Sequence, residues 1–100
     1  MRELKKFIPE SSVVTRGFYK TPFEFEGTIL QVVVMPPDPN TLYNFGIKDE
    51  DGFVIFSKFD VRGNLVASEL DLVLFPGQKW VILEGAKTDG VYRIKLVYQL

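Results

Sequence analysis

The chain has 100 residues, 46% of them hydrophobic and 14% aromatic, which is enough to fill the core of one domain. It contains no histidine and no cysteine, which excludes an imidazole base, thiol chemistry, disulfide-stapled scaffolds and cysteine zinc sites. A formal net charge of −1 and the lack of an apolar run of about 18 residues argue against a polyanion binder and a membrane-spanning protein.

Residues 1–12 are predicted to form an N-terminal arm, and residues 13–100 a single β-domain. Residues 1–20 carry five basic and two acidic side chains, whereas the other eighty carry seven basic and eleven acidic ones. The net charge is therefore +3 on the first segment and −4 on the rest. A basic segment on an acidic body is typical of an arm that reaches a partner, and equally of a solvated chain end.

Residues 13–19 and 23–35 are the first two predicted strands. In the second, phenylalanines alternate with glutamates at its start, and Gly27 predicts a bulge or bend. Residues 36–40 follow with three prolines, which cannot donate hydrogen bonds to a β-ladder and which stiffen the chain. They predict a rigid, exposed connection between sheets.

Residues 42–48 and 53–59 are predicted to pair as a β-hairpin. The intervening Asp49-Glu50-Asp51-Gly52 has acidic turn residues with glycine at the left-handed position, which suits a four-residue loop built on a type I turn. The alternating apolar residues of the first strand would then share one buried face.

The remaining segments continue the pattern of short strands and tight turns. They are a turn at 60–64, a strand at 65–75 with an irregular start, a Pro-Gly turn at 76–77, a strand at 79–84, a loop at 85–90 and an alternating strand at 91–99. Strands about every ten residues favour an all-β, antiparallel β-sandwich, jelly-roll-like or Ig-like, with an N-terminal arm. A five-stranded Greek-key barrel is the alternative.

No catalytic motif or glycine-rich phosphate loop occurs, so we expect a protein that is not an enzyme and uses no cofactor. The acidic run 49–52 offers Ca²⁺ ligands, with Asp60 or Asp89 to complete a shell, but it lacks EF-hand spacing. Turn formation accounts for these acids without a metal. The acidic body also predicts no nucleic-acid partner.

A ligand-binding module remains an open interpretation, because aromatic platforms on β-sandwiches bind sugars without net charge. This interpretation predicts a monomer with an exposed platform around Trp80 or Tyr43, binding a carbohydrate or a protein. Each candidate aromatic also fits a core position. The full set is Phe18, Tyr19, Tyr43, Trp80 and Tyr98.

Two segments carry a family resemblance. Residues 43–56 read YNFGIKDEDGFVIF, and residues 83–96 read LEGAKTDGVYRIKL. An aromatic strand, an acidic hairpin and a final strand entered through D-G-x-Y resemble the small β-sandwich structural proteins of tailed-phage virions. The resemblance covers the C-terminal half of the chain, and its motifs are those of hairpins and turns.

The resemblance implies a non-enzymatic bacteriophage structural protein, a decoration or cement protein that binds the outer capsid surface and stabilises the shell. It also implies a homo-oligomer such as a trimer, with the major capsid protein or another virion protein as partner. No nucleic acid or membrane is expected as a partner. The predicted contact residues come from the basic N-terminal segment and the stiff loop: Arg2, Lys5, Lys6, Arg16, Pro36, Pro37 and Pro39.

Overall fold

The structure is a computed structural model that describes residues 3–100, in which eleven strands and no helix occur. Accordingly, nothing in this part of the chain is a helix able to cross a membrane. The strands are β1 (Leu4–Phe7), β2 (Val13–Val14), β3 (Tyr19–Phe23), β4 (Gly27–Met35), β5 (Leu42–Asp49), β6 (Val54–Arg62), β7 (Leu65–Ala67), β8 (Leu72–Leu74), β9 (Lys79–Glu84), β10 (Gly90–Val91) and β11 (Arg93–Gln99).

The strands form two antiparallel sheets. The first has the order β1-β11-β4-β7, with β8 following β7 on the same edge of β4, and the second has the order β3-β9-β5-β6. Strands β2 and β10 form a separate short ribbon. When β7 and β8 count as one interrupted strand, the two four-stranded sheets have the jelly-roll order. The predicted antiparallel β-sandwich is confirmed, and its jelly-roll form is the one adopted.

The core lies between the sheets and follows the two-residue period of the strands. Tyr43, Phe45 and Ile47 of β5 point inward, as predicted from their alternation, and are almost completely buried. Ile94 and Leu96 of β11 are buried from the first sheet. Since alternate residues face opposite ways, the even-numbered residues of β5 are left on the outer face of the second sheet.

The β5–β6 hairpin is confirmed, and its turn depends on one carboxylate. The Asp49 Oδ1 atom accepts hydrogen bonds from the backbone N–H groups of Asp51 and Phe53, both at 2.9 Å. Gly52 occupies the left-handed region with φ of 85°. The second strand runs from Val54 to Arg62, past the predicted end at residue 59, because a bulge near its end lets it continue pairing.

The N-terminal segment joins the first sheet. Leu4–Phe7 pairs with β11, and the Phe7 ring centroid lies 5.6 Å from those of both Phe23 and Phe25. From Leu4 to Phe7 the predicted arm of residues 1–12 is therefore an edge strand of the sandwich. A domain boundary at residue 12 stays a prediction.

Residues 13–19 do not form one strand, because a turn divides them. Arg16 and Gly17 adopt positive φ values of 55° and 75°. Their backbone N–H groups donate to the two carboxylate oxygens of Asp89, each at 2.9 Å. These hydrogen bonds lower the pKa of Asp89, because they favour its charged form. The turn is thus held by a residue more than seventy positions away, which local sequence does not reveal.

Two other predicted strands are also interrupted. Residues 23–35 bend at Gly27, as predicted, where φ is 118° and a Cβ atom would clash with the Gln99 carbonyl oxygen. Residues 65–75 divide into β7 and β8, which pair with successive parts of β4. Between these two strands, the Leu70 N–H donates to the Leu30 carbonyl at 2.9 Å, which keeps the irregular segment against β4.

Candidate functional site

The outer face of the second sheet carries a groove of about 180 Å³. We call it the Gly46 groove, because Gly46 lies at the centre of its floor, paired with Ile82 on β9 and with Ser57 on β6. The side chains that line it combine apolar, amide, hydroxyl and charged groups. They include those of Asn44, Lys48, Ser57, Phe59, Ile82 and Glu84.

The floor of the groove exists because Gly46 has no side chain. A Cβ atom built on Gly46 would meet nothing nearer than the Phe56 carbonyl oxygen, at 3.7 Å. Its φ lies outside the left-handed region, so neither space nor backbone conformation requires glycine here. Ile82, only 8% exposed although it is on an outer face, completes an apolar floor.

Phe59 forms one wall and is 71% exposed. It directly precedes Asp60, whose φ of 53° marks the bulge in β6. The Asp60 N–H donates to the Asn44 Oδ1 atom at 2.8 Å, which fixes the Asn44 amide. The Asn44 Nδ2 atom, a hydrogen-bond donor, lies near Gly85. The bulge therefore holds an exposed aromatic ring beside an oriented amide.

The rim of the groove is polar and carries both signs of charge. Lys48 and Glu84 stand at its two ends along β5 and β9, and Ser57 supplies a hydroxyl from β6. Beyond Lys48 lies Trp80, with the Lys20 Nζ atom 4.3 Å from its ring centroid, in cation–π geometry. The groove thus offers donors and acceptors around an apolar floor.

The prediction of an exposed aromatic platform is wrong for Tyr43, which is buried. Trp80 lies next to the groove but does not line it. Tyr43 is 1% exposed, and its hydroxyl donates to the Gly63 carbonyl at 2.7 Å. Burial, with the nearby Tyr92 hydroxyl, raises the pKa of Tyr43 to about 12. The exposed aromatic that sequence reasoning missed is Phe59, which lies on the outer face of β6 two residues after Ser57.

The residues predicted to contact a partner do not form one surface. Arg2 lies outside the described residues. Lys5 and Lys6 are consecutive on β1, so their side chains leave the strand on opposite faces. Their role in binding a partner stays a prediction.

Arg16 and the proline loop instead meet a common loop, residues 85–90. Asp89 of this loop holds the Arg16 backbone, as described above. The Pro37 side chain lies 3.3 Å from where a Cβ on Gly90 would stand. The predicted loop prolines, Pro36, Pro37 and Pro39, lie in the connection between β4 and β5, where Pro37 and Pro39 are exposed. Contact with a partner stays a prediction for this group as well.

A larger cleft of about 560 Å³ lies between the β5–β6 turn and residues 71–78. Its acidic residues are Asp49, Glu50, Asp51 and Asp71. Asp49 has the turn-forming role predicted for the acidic run, since its Oδ1 atom accepts two backbone N–H groups. Within residues 3–100, no group of three or more acidic side chains has an arrangement suited to a metal ion. The cleft therefore adds no support to the calcium interpretation.

Lys79 lies beneath this acidic cleft. It is 2% exposed, and its Nζ atom donates to the Phe75 carbonyl oxygen at 2.9 Å. Burial lowers the pKa of Lys79, while the negative charges of Glu26, Glu24 and Glu50 oppose that effect. Among the described residues that line the cleft, the one basic side chain is thus buried, and the exposed charged ones are negative.

No family model matches this sequence, and no curated protein matches it. Among solved structures, the chain is similar to a carbohydrate-binding module, CBM36, in complex with calcium and xylotriose. The match covers 99% of this chain and 93% of that one, with 10% sequence identity and a TM-score of 0.44. Similarity this low says nothing about ligand or metal, so any function has to be argued from the groove itself.

Proposed function

We propose that this protein is a non-catalytic binding module that takes a carbohydrate in the Gly46 groove. One observation carries the proposal: the exposed Phe59 ring stands beside a floor left open at Gly46 and surrounded by hydrogen-bonding side chains. Small-molecule sites typically combine apolar walls with a few placed polar groups. The groove has this composition on a rigid sheet.

A sugar ring suits this combination for a physical reason. A pyranose has apolar C–H faces that pack on an aromatic ring and hydroxyls around its edge that both donate and accept hydrogen bonds. Phe59 supplies the ring, while Asn44 and Ser57 supply neutral polar groups. Lys48 and Glu84 add a donor and an acceptor at the two ends. Water bridges fill the contacts that direct hydrogen bonds do not reach.

The proposal is tested with an array of neutral oligosaccharides, followed by titration calorimetry on the best ligand. Gly46→Leu fills the floor without backbone strain, because space is open above this residue. We expect Gly46→Leu to weaken binding at least about ten-fold, which corresponds to about 1.4 kcal/mol. Phe59→Ala removes the stacking wall and is expected to weaken binding by a factor of about three to ten.

Phe53→Ala is the matched control, since Phe53 is 72% exposed and does not line the groove. It should bind the oligosaccharide as the unmodified protein does. If no oligosaccharide binds, or if Gly46→Leu binds as tightly as the control, the groove is not a carbohydrate site.

Capsid decoration, which the resemblance implies, stays a prediction. It requires contacts through Arg2, Lys5, Lys6, Arg16 and the proline loop, and it does not need the Gly46 groove. Co-sedimentation with undecorated phage shells tests it separately. A decoration protein binds the shells whether or not Gly46 is replaced, whereas a carbohydrate module loses its ligand.

A further inference from the structure

The strands of the first sheet carry basic residues and no acidic ones. None of its strands, β1, β4, β7, β8 or β11, contains an aspartate or a glutamate within the described residues. Lys6, Arg93 and Lys95 alternate with the buried residues Ile94 and Leu96 or with the inward-facing Phe7, so all three point outward. The outer face of this sheet therefore has a positive charge.

The same face exposes aliphatic side chains. A shallow depression of about 130 Å³ is formed by Ile8, Val33 and Met35, with Arg93 and Lys95 beside it. Other exposed aliphatic residues on the face include Leu4, Val66 and Val73. We call this surface the basic face. Contiguous exposed apolar surface rimmed by charge is typical of an interaction site.

The loop end of the sandwich has the complementary chemistry. Glu50, Asp51 and Asp71 are exposed around the large cleft, while Lys79 is buried below them. Phe75 protrudes from the wall of the same cleft with most of its ring exposed. We call this surface the acidic end. The two surfaces are complementary: Phe75 among carboxylates on the acidic end matches the apolar depression among basic residues on the basic face.

We propose that the basic face binds the acidic end of a second copy of this chain. Phe75 of one copy enters the depression of the other, and the surrounding carboxylates approach Arg93 and Lys95. The two surfaces differ, so the contact is heterologous, and a joined pair keeps one free basic face and one free acidic end. Such a contact produces growing chains or a closed ring rather than a simple symmetric dimer.

The attraction between the two surfaces depends on salt. Exposed charges are screened over about 10 Å at about 0.1 M ionic strength and over about 3 Å at about 1 M. Sedimentation velocity at low salt should show an average mass that rises with protein concentration. Raising the salt should shift the distribution toward the monomer.

Two variants give the decisive test. Arg93→Ala with Lys95→Ala disables the basic face, and Glu50→Gln with Phe75→Ala disables the acidic end; all four changes remove surface groups rather than core packing. Each variant alone should sediment as a monomer. Mixed together, they should form a one-to-one dimer and nothing larger, because one retains the end and the other retains the face.

Three results would overturn the proposal. The first is a monomer at every concentration in low salt. The second is association that either variant leaves unchanged. The third is a monomer that co-sediments with phosphatidylglycerol vesicles and loses that binding in the Arg93→Ala, Lys95→Ala variant, which would make the basic face a lipid-binding surface. Carbohydrate binding is measured independently, so its failure does not affect this test.

Discussion

We predict that the buried hydroxyl of Tyr43 makes the fold less stable as the pH rises into the alkaline range. It is buried and donates to the Gly63 carbonyl at 2.7 Å, while the ring packs edge-on against Tyr92 at 5.5 Å between centroids. Tyr43→Phe removes only the hydroxyl and keeps the ring. At neutral pH this substitution removes a buried hydrogen bond and leaves the Gly63 carbonyl unpaired, which should lower the free energy of unfolding by about 1–2 kcal/mol.

The sign of the pH dependence follows from the raised pKa of Tyr43. Burial disfavours the phenolate and raises the pKa from 10.0 to about 12 in the folded protein. The unfolded chain therefore loses the proton first, and the folded state is stabilised fully below pH 10 but progressively less above it. A difference of about two pKa units corresponds to about 2–3 kcal/mol, lost between about pH 10 and about pH 12.

Urea unfolding followed by far-UV circular dichroism measures this effect for both proteins from about pH 7 to about pH 11.5. The unmodified protein should be the more stable one at neutral pH. The difference should shrink above about pH 10, because Tyr43→Phe has no phenol to ionise at this position. A difference that stays constant over the whole range would refute the argument that burial of this hydroxyl controls its ionisation.

Two further predictions concern residues that tie distant segments together. Replacing Asp89 by Asn should lower the melting temperature at pH 7, because the Asp89 carboxylate holds the 15–18 turn. The effect should be much smaller at about pH 2, since the pKa of Asp89 is lowered in the folded protein and its contribution to stability is lost as the pH falls below 3.8. An equal effect at both pH values would contradict this. Deleting residues 1–8 should cost at least about 2 kcal/mol by urea unfolding, since β1 and the packing of Phe7 are removed; an unchanged stability of the truncated chain would show that β1 adds nothing.

The parts of the fold that could be predicted are those that local chemistry determines. The β5–β6 hairpin needs only an acidic turn with glycine at the left-handed position, and Asp49 and Gly52 provide it. The inward alternation on β5 follows from the two-residue period of a strand. Both features depend on neighbours along the chain, so the sequence displays them directly.

The parts that failed depend on distant residues. The turn at 15–18 is held by Asp89. The edge position of β1 depends on pairing with the last strand. Each of these needs the sheet order before it becomes visible, and that order is not encoded in any short segment.

The Gly46 groove was missed for a related reason. Gly46 looks like an ordinary glycine in an apolar strand, and Phe59 looks like the last residue of its hairpin. Only the register between β5 and β6, with its bulge at Asp60, places the exposed ring beside the open floor. Alternation gives the face of each side chain but not which residues of neighbouring strands lie beside it, so a site that spans three strands cannot be read from one of them.

The Gly46 groove shares no lining residue with the acidic cleft or with the depression on the basic face, so contact through those two surfaces leaves the groove residues uncovered. The Gly46 groove belongs to the outer face of β3-β9-β5-β6, and the basic face belongs to the opposite sheet. Copies joined through basic faces and acidic ends would therefore carry one open groove each. Weak binding of single sugar segments would become strong on a polymer, because several grooves engage the same chain at high effective concentration. In low salt, where copies associate, the unmodified protein should then bind a repetitive glycan far more tightly than the Arg93→Ala, Lys95→Ala variant, which binds through a single groove.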